Sequence, residues 1–381
     1  MIKQDIPKIR FYSYQGAWVE KRIADIVKIS AGGDVDKERL KESGKYPVIA
    51  NALTNKGVVG FYDDYKVKAP AVTVTGRGDV GYAVARHENF TPVVRLLTLQ
   101  SENIDVDYLE NQINSMRILN ESTGVPQLTA PQLGKYKVYH PEIEEQSAIG
   151  NFFRTLDELL ASYKDNLANY QALKTTMLSK MFPKAGQRVP EIRLDGFEGE
   201  WEIKRADEIF KSVSEKNRAS LPVLSASQID GMVLRDEIGI DIKYDEATLN
   251  NYKVVKPGQF VIHLRSFQGG FALSKLEGIT SPAYTIIDFI DKSNNLYDFW
   301  NSILTSRDFI KRLETVTYGI RDGKSISFKD FSSLKFVFPE FEEQQAIGAY
   351  FSNLDNLINS HQEKISQLEI LKKKLLQDMF I

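Results

Sequence analysis

The chain has 381 residues, with 49 basic and 51 acidic side chains and a formal net charge of −2, a balance that gives no bulk electrostatic sign of a nucleic-acid partner. It contains no cysteine, which excludes disulfides, thiolate metal sites and cysteine nucleophiles and suits a reducing compartment. The opening MIKQDIPKIRFYSYQ lacks the apolar core of a signal peptide and no run approaches a membrane span, so a soluble, cytoplasmic protein is expected.

Residues 1–140 carry a mild basic excess of +3. Between 46 and 100, short segments rich in Val, Ile, Tyr, Phe and Thr are broken by Gly, Pro, Asn and Asp, which predicts strands and turns. Residues 71–75 are of strand length, and 107–119 form a helical patch. Residues 141–182 then open with Pro141 and glutamates, a proline and negative charge where a helix tolerates both. Apolar positions come next at Leu156, Leu160, Tyr163, Leu167 and Tyr170, continuing through Lys174, Met177 and Met181. Steps of four and three alternate, a heptad seam that calls for a long helix packed at a shallow angle against another. Phe182-Pro183 ends it.

Residues 183–338 are electrically neutral and repeat the strand-and-turn pattern over 221–290, with 260–264 as a strand and 296–313 as a helical patch. Residues 339–381 bring a second long helix, its seam at Leu354, Ile358, His361, Ile365 and Leu368, then Lys372, Leu375 and Met379. The two helical segments carry −2 and −3.

The chain is a tandem duplication. Residues 141–182 and 339–380 align without a gap at an offset of 198, with 18 of 42 positions identical. Pro7, Ile9, Arg10, Gly16 and Trp18 match Pro190, Ile192, Arg193, Gly199 and Trp201 at an offset of 183. Offsets that only grow mean one order of elements with insertions in the second copy. The expected fold is α+β: two β-rich domains separated by two long antiparallel coiled-coil helices with pseudo-twofold symmetry. The expected boundaries are 1–140 and 183–338 for the domains, with 183–190 a linker, and 141–182 and 339–381 for the helices. About 38 helical residues would give a rod of roughly 57 Å.

Catalytic signatures are absent. Gly76-Arg77-Gly78-Asp79-Val80-Gly81 fits a dinucleotide fingerprint, but residues 82–87 read as a strand where the fingerprint needs a helix. The 319–325 stretch is one residue short of a phosphate loop, and His87, His140, His263 and His361 lack metal spacing. The glycine-rich turns do present side chains suited to base edges and phosphates: Asn51, Asn55, Thr75, Arg77 and, beside Gly124, Gln127 in the first copy; Arg265, Ser266, Gln268 and, beside Gly319, Arg321 and Lys324 in the second. Arginine can fork onto guanine, and asparagine or glutamine onto adenine. Equivalent turns carry different side chains, as two readers of different sequences would need. A solvated loop or a structural hydrogen bond is the competing reading for each residue, and a protein-binding coiled-coil scaffold without DNA specificity is the competing reading for the chain.

The PxxEEQxAIGxxF…LD helix opening, present at 141–157 and 339–355, together with the Pro-x-Ile-Arg…Gly-x-Trp opening of each half and the turn at Gly124-Val125-Pro126-Gln127-Leu128, resembles the specificity subunit of type I restriction-modification systems. The resemblance covers essentially the whole chain. It implies a non-catalytic subunit with two target recognition domains, each reading half of a bipartite DNA site in the major groove. It also implies that the helices set the spacer and dock two methyltransferase subunits. S-adenosylmethionine, ATP and Mg would then sit on partner subunits, the methyltransferases and the motor-nuclease, with no cofactor and no metal in this chain.

Overall fold

In the computed structural model the described residues are 6–116, 118, 127–227, 230–238, 246–262, 270–306, 309–311, 313 and 328–381. The chain divides into two compact units: Met1–Asn166 with His361–Ile381, and Leu167–Ser360.

The first unit is built on an antiparallel four-stranded sheet in which Lys28–Ala31, Leu97–Gln100, Ala71–Val74 and Ala83–Arg86 lie side by side in that order. Ala71–Val74 is buried at every position, so all four residues are apolar or, for Thr73, hydrogen-bonded across the sheet. Lys28–Ala31, at the edge, exposes alternate polar residues. A second sheet joins Val58–Tyr62, Tyr46–Ile49 and Thr91–Pro92, and Val19–Arg22 pairs with Lys137–His140. The helix Val106–Ser115 packs on the sheet through Val106, Leu109 and Ile113 and is capped by Asp105, whose carboxylate accepts from the Tyr108 amide at 2.9 Å.

The second unit repeats this plan. Phe210–Val213, Thr285–Phe289, Phe260–Ile262 and Phe271–Leu273 form its four-stranded sheet in the equivalent order, and Glu202–Arg205 pairs with Lys335–Phe338. Its core is richer in aromatics, with Phe210, Trp300, Phe331 and Phe336 fully buried. The helix Tyr297–Leu304 stands where Val106–Ser115 stands in the first unit. The sequence places both helices and both central strands; Val106–Ser115 and Ala71–Val74 are shorter at their carboxyl ends than the pattern predicts.

Two helices of 38 residues, Ile143–Lys180 and Phe341–Asp378, follow the domains. Every predicted seam residue is buried or half-buried. Within the first unit, Asp157 accepts from Lys372 and Lys164 pairs with Glu369 at 2.7 Å, so one helix runs forward as the other runs back. Within the second unit the same exchange occurs: Lys174 donates to Asp355, and Phe182 stacks on Phe351 at 6.1 Å. The lysines that interrupt each seam are thus matched by aspartates on the opposing helix.

The repeated motifs fasten each domain to its helix. Arg10 grips both oxygens of Glu145 at 2.6 Å and donates to the Gly16 carbonyl, while Arg193 grips Glu343 at 2.8 and 2.7 Å and donates to Gly199. Gln146 accepts from the Asp105 amide and donates to the Pro141 carbonyl; Gln344 does the same with Leu296 and Pro339. At Gly150 an added Cβ would collide with the Asp105 carboxylate, so the small residue lets the domain helix seat against the long one. Trp18 and Trp201, one per unit, are only 3 % and 1 % exposed and lie beside Phe380 and Phe182, respectively.

Candidate nucleic-acid interface

At one end of the first domain three turns meet around Asn51. Its side-chain amide donates to the Val94 carbonyl at 2.6 Å, and its side-chain oxygen accepts from the Gly76 amide at 2.7 Å. One side chain therefore ties the 93–96 turn to the 75–82 turn while sitting on the 51–57 turn.

The 75–82 turn carries the GxGxxG stretch and is a hairpin connection. Ala71–Val74 and Ala83–Arg86 pair antiparallel on either side of it, with Thr75 and Tyr82 bonded through their backbones at 2.9 Å. The Thr75 hydroxyl donates to the Asp79 carbonyl and accepts from the Tyr82 amide, closing the turn from inside. Gly78 and Gly81 take the left-handed backbone that such a turn requires. Arg77 is left half-buried near the tip, bridged through its backbone to Gln127, so the structure brings these two candidate residues together.

Asn55 and Lys56, φ 50° and 49°, put the 51–57 turn into the left-handed region at two successive residues. Arg86 supports the turn from below: its guanidinium donates to the Lys56 carbonyl at 2.7 Å and to the Thr73 hydroxyl at 2.9 Å. Burial lowers the Arg86 pKa to about 10, so the group stays charged at neutral pH. Val94 and Arg95, φ 54° and 61°, do the same in the 93–96 turn. A β-branched residue there is a marked outlier, and each such residue costs about 1–3 kcal/mol.

Of the residues singled out from the sequence, Asn51 and Thr75 spend their polar atoms on building the turns, while Asn55, Arg77 and Gln127 border the same surface. Gly124, Arg265, Ser266, Gln268, Gly319, Arg321 and Lys324 lie outside the described residues. Lys56 and Arg95, exposed on the same turns, are not among the residues that the sequence predicts. Asn55 was a legible sign of a left-handed turn, but nothing in Val94-Arg95 marks one, because no glycine or asparagine stands there.

Among the described residues no group of acidic or histidine side chains could hold a metal ion, and no helix is long and apolar enough to cross a membrane.

Two β-rich domains, each fastened to its own long helix and built on the same sheet order, define a duplicated architecture. Residues 15–169 and again 198–370 match the family described as Type I restriction modification DNA specificity domain, so the chain belongs to that family, whose members are specificity subunits and not enzymes. It is 23% identical over 400 residues to the Type I restriction enzyme MjaVIII specificity subunit of Methanocaldococcus jannaschii, a match covering 94% of this chain and 91% of that one. A shorter match, 28% identical over 155 residues, links it to the type I specificity subunit homologue S.MpnORF507P of Mycoplasma pneumoniae and spans 39% of this chain and 43% of that protein's length. The crystal structure of a type I restriction-modification S subunit from M. genitalium shares the fold, with a TM-score of 0.67 and 16% identity over 99% of both chains.

Proposed function

We propose that this chain is the DNA-recognition subunit of a type I restriction-modification complex. Each β-rich domain reads one half of a bipartite target in the major groove, and the two long helices fix the spacer and dock two methyltransferase subunits. Adenine methylation with S-adenosylmethionine, and ATP- and Mg-dependent cleavage by motor-nuclease subunits, belong to the partners, and the complex works in the cytoplasm. In this reading 1–140 and 183–338 are the target recognition domains, with 141–182 and 339–381 the spacer helices.

The observation that carries the reading is the double occurrence of the specificity domain in one chain, each copy closed by its own long helix. The cluster of polar turns around Asn51 supplies the first domain with a surface of the right chemistry. Partner docking draws support from apolar residues that remain on the surface in both repeats: Leu159 and Leu357, 43% and 40% exposed, and Leu173 and Leu371, 37% and 45% exposed, occupy equivalent positions. An isolated exposed leucine is ordinary. The same leucine kept exposed at equivalent positions of both repeats fits a partner present in two copies.

Methylome sequencing of a host carrying the intact system tests this. The expected result is methylation at a site with two short specified elements and an unspecified spacer between them. Methylation at a single continuous motif would contradict the reading, and binding indifferent to DNA sequence and salt would favour the protein scaffold instead.

A further inference from the structure

We propose that Lys56 and Arg95 are a phosphate-contacting pair of the first domain, exposed cations on two adjoining left-handed turns that fix the register in which the Arg77 turn meets base edges. The inference rests on the DNA-reading role proposed above and assigns residues to it.

Among the described residues of this domain four non-glycine residues have a left-handed backbone, and they form two adjacent pairs, Asn55 with Lys56 and Val94 with Arg95. Folding alone would favour glycine at such positions. The strained shape is instead held by many bonds. The Val94 amide donates to Gly33 at 2.7 Å and the Arg95 amide to Gly32 at 3.0 Å, while Asn51 caps the Val94 carbonyl and Arg86 the Lys56 carbonyl. Strain over-determined by its surroundings is characteristic of ligand clamps.

What the turns present is positive charge. Lys56 and Arg95 are both exposed. Among the described residues neither Lys56 nor Arg95 forms an ion pair, in contrast to Arg39 with Asp64 and Lys41 with Asp63. The turns also lie against the predicted reader. A Cβ at Gly76 would stand 3.0 Å from the Arg95 carbonyl, so the backbone beside Arg77 touches the backbone of Arg95. Exposed cations on rigid backbone beside a half-buried arginine match the division of labour in DNA recognition, where phosphate contacts position and base contacts specify.

The test uses the full chain assembled with its methyltransferase subunits and two duplexes of equal length, one bearing the methylated target and one unrelated. Lys56→Gln and Arg95→Gln should each weaken binding to both duplexes by a similar factor, about three- to tenfold at moderate salt. Each should also reduce the slope of log affinity against log salt by about one, with the methylated sequence unchanged. Arg95→Gly relieves the backbone and should melt at or above the wild-type temperature while losing the same affinity. An unchanged salt slope in both glutamine variants, a changed half-site sequence, or full affinity in Arg95→Gly would overturn the assignment. A wild-type complex that prefers neither duplex would refute the underlying DNA-reading role instead.

Discussion

Arg10 and Arg193 explain why an arginine recurs near the start of each half. Each is a forked clamp on a buried glutamate of the next long helix, Glu145 being 3% and Glu343 4% exposed at the side chain. Removing one partner leaves the other charge buried and unpaired, so Arg10→Met should cost about 3 kcal/mol, read as a lower unfolding midpoint in denaturant. Glu110 gives a pH signature. Burial on the Val106–Ser115 helix, followed by the neighbouring Asp157, pushes its pKa up to about 7, against lowering by the Ala85 backbone and Lys372. A carboxyl whose folded pKa is raised binds its proton more tightly in the native state. Its contribution is therefore present at low pH and lost as pH rises from about 4.5 towards 7, up to about 3 kcal/mol. Thermal melts from pH 5 to 9 should show Glu110→Gln gaining on the wild type across that window and staying ahead above it; a constant difference at every pH would exclude the effect. Neither clamp nor raised carboxyl was legible beforehand. Arg10 and Glu145 are 135 residues apart, and their motif could be recognised as a repeat without disclosing that one half of it holds the other.

Among the elements, the long helices were the most legible, because a seam with alternating steps of four and three has few other physical meanings. The turns were the least. Asn51 looked like a base reader because asparagine suits adenine, yet the folded chain uses it to join three turns, a role set by residues 25 and 43 positions away. The seam also held an anomaly that only folding explains: Lys174 and Lys372 sit where apolar residues belong, and each finds an aspartate. These pairs are partly exposed, so each is worth about 1 kcal/mol or less. Lys372→Asp should destabilise the first unit beyond that, since it sets an acid beside Asp157 and near Glu110, and adding Asp157→Lys should recover most of the loss. A double variant no more stable than the single would contradict the pairing. Leu160→Ala, at a buried seam position 7% exposed, should cost about 2–4 kcal/mol in the same denaturation assay.

At the scale of the molecule, the duplication extends to how each unit closes. The Ile192 amide donates to the Lys180 carbonyl where the chain runs continuously from helix to domain, and the Ile9 amide donates to Asp378, at the equivalent position, across the chain ends. Both bonds are 2.9 Å. A permuted chain joining residue 381 to residue 7 through a copy of 184–189, with new ends opened at 185 and 186, should fold with a melting temperature within a few degrees of the original. Loss of folding would mean that the first unit does not tolerate a link between residues 381 and 7. The proposed function adds a metric consequence, because identical domains on shorter helices should read the same half-sites closer together. Deleting one heptad from each helix, 163–169 and 361–367, keeps the seam in phase and removes about 10.5 Å, close to three base-pair steps. The decisive measurement is methylome mapping of that variant, assembled with its methyltransferase subunits and shown by thermal melting to be folded. Both half-sites should persist with a spacer shorter by about three base pairs; altered half-sites, or an unaltered spacer, would contradict helices that set the distance between two readers.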